Sequence, residues 1–112
     1  MELVDLTAIT GRGPAWGTES EDLNATLLVW REGEGQPAHV NSERDVLLVA
    51  FSGAGRLVLD GVEHPLEAGT LAILPRGSER SVVAGPKGLR CLTVHRRRGG
   101  LQIASRRPDA PG

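Results

Sequence analysis

Three histidines, one cysteine and a run of arginines are the residues here that could do chemistry. Imidazole is the side chain that trades a proton near neutral pH, so acid–base chemistry falls to His39 or His95. His64 follows the Asp60–Gly61 turn and stands beside Pro65, which reads as a surface or rim position. His95 closes the run LRCLTVH, where alternation places Leu89, Cys91, Thr93 and His95 on one face. Cys91 has no basic neighbour to make it a thiolate and reads as a small buried apolar group. The HRRR run at 95–98 lacks interleaved aromatics, since the chain holds one Phe, two Trp and no Tyr, and a formal net charge of −1 opposes a nucleic-acid partner. Those arginines are expected to pair with the acidic stretch 19–22, in the same chain or across a dimer. No G-x-S-x-G elbow, phosphate loop, dinucleotide fingerprint or paired-cysteine metal site is written anywhere in the sequence.

The elements that must position these residues are strands. Fifteen glycines and seven prolines among short Val and Leu runs indicate many strands joined by tight turns, and no dozen residues carry an uninterrupted helical apolar spacing. The clearest signal is the hairpin RLVLD–G–VEHPL: Asp60–Gly61 supplies the positive φ angles of a type I′ turn, and Pro65 confines the second strand to an edge. ATLLVW at 25–30, a short extended piece at 38–41, TLAILP at 70–75 and LRCLTVH at 89–95 complete the strands, with a loop expected at 85–88. Residues 1–24 read as an irregular lead-in with at most a turn or two of helix near 19–23. DVLLVAFS at 45–52 is apolar on both faces, so something must cover its outer side: residues 3–9, a second copy of the chain, or both. Trp16 and Trp30 read as core or interface anchors. The prediction is an all-β single domain, a barrel over 25–105 with a disordered tail at 106–112. With no apolar leader or long apolar span, it is expected to be cytoplasmic and without membrane contact.

The spacing Gly69, Pro75, Gly77 then becomes specific. It resembles the second motif of the cupins, which continues to a metal-binding histidine at the position held here by Arg80. The resemblance implies a cupin-type double-stranded β-helix, or jelly-roll barrel. The first cupin motif aligns His39 with its first histidine and Asn41 with its second; its glutamate position falls on Val46, with Asp45 one place earlier. Of the usual four ligands only His39 is kept. Asn is a weak ligand for a transition metal and a guanidinium repels one. No cofactor is therefore expected. A divalent metal, if one bound, would rely on His39, Asp45, Glu43 and His95.

By the family's strand parity Arg80 points into the barrel, where an unpaired charge is costly. Two readings stand open. Arg80 with His39, Asn41 and His95 forms a polar floor for a small anionic molecule, which a guanidinium can clamp with parallel hydrogen bonds. Alternatively, Arg80 pairs with Asp45 or Glu43 and fills the volume a metal would occupy. The resulting expectation is a homodimeric small-molecule-binding protein. The alternatives are an enzyme of dioxygenase, isomerase or epimerase type, metal-dependent or using a histidine base, and an oligomerising module with a closed interior.

Overall fold

The computed structural model describes residues 2–97. A 3-10 turn at Leu6–Ala8 precedes seven strands: β1 Gly13–Glu19, β2 Leu23–Trp30, β3 Gly35–Val40, β4 Val46–Leu59, β5 Val62–Glu67, β6 Leu71–Leu74 and β7 Glu79–Arg96. Every pairing is antiparallel.

β4 and β7 are long because each serves two sheets. Leu47–Gly53 runs against Leu89–Val94, and Gly55–Leu59 runs against Arg80–Ala84, with the register shifting between Ala50 and Gly55. The first stretch carries β2 and β1 on one side and β6 on the other; the second carries β3 and β5. The two sheets close over one core of Leu28, Trp30, Leu48, Ala50, Leu57, Leu66, Leu89 and Cys91. At the corner the backbones touch. Gly53 sits at φ 79°, and a Cβ there would lie 2.1 Å from the carbonyl oxygen of Gly88, so only glycine fits. Burying the inner faces of β2, β4 and β7 is the main stabilising term, at roughly 25 cal/mol for each Å² of apolar surface removed from water.

The Asp60–Gly61 hairpin forms as its sequence dictates, with φ 49° and 83° at the two turn residues and Leu59 facing Val62. β5, with Pro65, pairs β4 alone and is an edge. Three expectations change. The irregular lead-in contains β1, a full edge strand bonded to β2. Residues 19–23 are a β1–β2 connection, closed by Ser20 N donating to Leu23 O (2.8 Å), and hold no helix. Gly85–Gly88 is no loop; the four residues bend β7 without interrupting it. Short polar stretches and Gly/Pro clusters signal turns locally, whereas whether a strand crosses the corner depends on partners distant in sequence. The 105 barrel boundary, the tail at 106–112 and Arg98 lie outside the described residues.

On β4 the alternation is resolved: Val46, Leu48 and Ala50 are buried, and Leu47, Val49 and Phe51 half-buried on the outer face. Arg90 holds the N-terminal segment over part of that face. Its Nη2 donates to Leu6 O (2.9 Å) and Ile9 O (2.6 Å), and its guanidinium lies 5.8 Å from the Phe51 ring centre. Beside it, Leu71 and Ile73 of β6 stay more than half exposed. The acidic stretch finds its basic partner within the chain: Arg97 Nε lies 2.9 Å from Glu19 Oε1 and Arg97 N donates to Asp22 O.

Candidate functional site

A cavity of about 270 Å³ opens at one end of the barrel. Its wall follows from strand alternation, since successive inward residues lie about 7 Å apart down each strand. At the mouth stand His39, Asn41, Arg80 and His95. Below them come Gln36 with Val82, Thr26 with Thr93, and Leu48, each pair being cross-strand partners. Leu28 and Trp30 line the floor. Thus all four residues of the expected binding set line one cavity, and His39 is the direct register partner of Arg80.

Arg80 dominates the site. The residue is 3% exposed, and its Nη1 donates to Pro75 O (3.3 Å) and Ser78 Oγ (3.2 Å). Ser78 in turn donates to Pro75 O at 2.5 Å, which fixes the β6–β7 turn around the guanidinium. Nε is sealed without a partner, whereas Nη2 has neither a partner nor a seal and is the face turned to the cavity. Burial pulls the pKa of Arg80 down from the ordinary arginine value.

The internal ion pair is the reading that changes. Among the described residues no carboxylate meets Arg80. Asp45 is turned the other way, its Oδ1 accepting from Arg76 N (2.8 Å), and Glu43 meets Arg44 (3.1 Å). Val46, not Asp45, takes the inward position and lines the cavity. Both carboxylates serve the loops around the mouth, where Gly77 N also donates to Asn41 O. Asn41 is partly spent on its own loop, because its Oδ1 accepts from the backbone N–H groups of Glu43 and Arg44.

The histidines are oriented by backbone. His95 Nδ1 lies 2.8 Å from Arg96 O and His39 Nδ1 3.3 Å from Pro37 O. A ring nitrogen facing a carbonyl oxygen carries the hydrogen, which leaves Nε2 of the neutral ring with the lone pair. His64 stands exposed on β5 away from the cavity. Cys91 is fully buried, and burial pushes its thiol up to about 12, so it is chemically inert.

Three polar lining residues were not singled out by the sequence: Thr26, Gln36 and Thr93. Alternation through LRCLTVH groups Thr93 with His95, and the same count through ATLLVW would have joined Thr26 to Leu28 and Trp30; Gln36 had no such signal, because β3 carries a register shift between Gln36 and His39.

No family model matches the sequence. A curated relative, the dimethylsulfoniopropionate lyase DddW of Ruegeria pomeroyi, is 33% identical over 76 residues, covering 66% of this chain. The chain spans about half that relative's length, 49%. Among solved structures, a Klebsiella pneumoniae protein with a double-stranded β-helix domain superposes with a TM-score of 0.74 at 16% identity, over 86% of this chain and 90% of that one. A cupin protein of Bacteroides fragilis gives 0.63 at 21% identity, over 71% and 70%. The chain has the cupin fold. Cupin motifs place metal ligands at this mouth, and the side chains here depart from that set. Among the described residues no three of His, Cys, Asp and Glu come together, and the ligand position that cupins give to histidine here holds a buried cation.

Proposed function

We propose that the barrel binds a small organic anion, with a carboxylate seated against Arg80. The observation that supports this is Arg80, 3% exposed and lining a cavity with no acidic residue among its described lining side chains. Burying an unpaired charge is costly, and an anion arriving with its own charge offsets that cost. The substrate named for the Ruegeria pomeroyi relative is a propionate, which carries the group Arg80 would take. Thermal unfolding against matched carboxylates and carboxamides tests the reading: a ligand at 100 times its Kd adds about 2.7 kcal/mol. Carboxylates are expected to raise Tm and their amides not to, and Arg80→Gln to abolish the difference. Equal response of the variant would sink the proposal.

A second reading, supported by the lone pairs that His39 and His95 leave at Nε2, is that the bound acid undergoes proton transfer at carbon. Exchange of carbon-bound hydrogen for deuterium in a bound carboxylate, lost in His39→Gln or His95→Gln, would support it; an unexchanged ligand at saturation would remove it. The half-exposed Leu71 and Ile73 beside Leu47 and Val49 also support self-association through the outer face of β4 and β6. Light scattering at the monomer mass would rule that out.

A further inference from the structure

We infer that the ligand is a short monocarboxylate with an apolar body and one hydroxyl or carbonyl part-way along it, lying tail-down in the barrel. This rests on the anion reading above and narrows it to a substrate class.

Charge sets the orientation. Among the described residues Arg80 is the one arginine or lysine lining the cavity, and it belongs to the mouth layer. Deeper than Arg80 the wall offers neither a charged nor a titratable side chain: Val82 and Leu48 come next, then Leu28 and Trp30. A carboxylate at the mouth therefore finds its partner, while a second one at the floor would be buried against hydrocarbon and indole at prohibitive cost. A dicarboxylate is disfavoured and an apolar tail is favoured.

Size follows from volume. About 270 Å³ equals the liquid volume of roughly nine waters, room enough for a chain of about six carbons.

The substituent follows from unspent hydrogen bonds. Thr26 and Thr93 are register partners halfway down, and Gln36 stands on the facing sheet. None of the three side chains bonds to another described residue, and none is sealed from the cavity. A plain alkyl chain lying against them would bury those donors and acceptors unpaired, which weakens its binding. A ligand oxygen at the level of Thr26, Thr93 and Gln36 restores those bonds.

Isothermal titration with hexanoate, adipate and the monohydroxyhexanoates, on the wild-type protein, Arg80→Gln and Thr26→Val/Thr93→Val, tests the assignment. One hydroxy isomer is expected to bind at least tenfold tighter than either hexanoate or adipate. In the double valine variant that preference should shrink to about threefold or less while hexanoate binds as well as before, which also reports that the barrel is folded. Adipate or plain hexanoate as the tightest ligand overturns the inference while leaving the anion reading in place. So does a hydroxyl preference that survives the valine substitutions. Failure of every carboxylate, or binding indifferent to Arg80→Gln, overturns the anion reading itself and the inference with it.

Discussion

The two ends of this barrel use the same strands and opposite chemistry. At the closed end Ala50, Leu66, Leu89 and Cys91 are each no more than 1% exposed, and the corner backbones approach so closely that Gly53 tolerates no side chain. Along β7, toward the mouth, the inward positions pass to Thr93, His95 and Arg80. The closed end is packed to the density of an organic solid, where each lost methylene is felt. The mouth holds donors and acceptors that the protein does not pair, an arrangement that costs stability and marks a place prepared for something else.

That contrast is broken most forcefully at the closed end. Leu66→Ala removes a side chain that is 1% exposed and leaves a hole that the bent corner has little freedom to fill, so about 2–5 kcal/mol of unfolding free energy should be lost. Urea denaturation followed by far-UV circular dichroism checks this, and a loss under 1 kcal/mol would show the closed end to be plastic.

The same experiment at the mouth should have the opposite sign. Arg80→Met keeps the volume, removes a buried charge that no described carboxylate pairs, and gives up two long hydrogen bonds to Pro75 O and Ser78 Oγ. Unfolding free energy without ligand should hold or rise by about 1 kcal/mol, while the Tm response to carboxylates disappears. A fall of 2 kcal/mol or more would make Arg80 a structural clamp on the β6–β7 turn instead of a binding residue.

Most of the fold was readable because its signals are local. Asp60–Gly61 names its own hairpin, Pro65 its own edge, and the Gly69, Pro75 and Gly77 spacing its own turn. The strand at 13–19 was not readable, since GPAWGTE opens on Gly and Pro and gains its ladder only from β2. In the site, His39, Asn41, Arg80 and His95 were placed together by motif spacing and alternation. What partners Arg80 was beyond reach. Asp45 and Glu43 are near in register, but Asp45 is held by Arg76 N across the mouth loops and Glu43 meets its neighbour Arg44, choices that motif spacing does not reveal.

The smallest expected effect returns to the closed end, where the β2–β3 turn carries Glu34. Its carboxylate accepts from Arg31 N (2.9 Å) and pairs with Arg12, while Glu34 O accepts from Ala84 N (2.7 Å), tying the turn to the barrel corner. The Arg31 backbone bond, followed by the Arg12 hydrogen bond, holds the Glu34 pKa below the usual 4.5. A folded-state pKa lowered in this way stabilises the protein fully above the unfolded value and loses its contribution as pH falls through the folded one. Wild-type stability should therefore decline below about pH 4.5 in part through this group. Glu34→Gln keeps a carbonyl oxygen for Arg31 N but does not titrate, so its unfolding curve should differ slightly from wild type at pH 7 and converge with it by pH 3. Because the pair is solvent-exposed, added salt should shrink the pH 7 difference further. Curves that stay parallel from pH 7 to pH 3 would show that the turn is held by its backbone bond to Ala84 alone, and that the closed end owes nothing to charge.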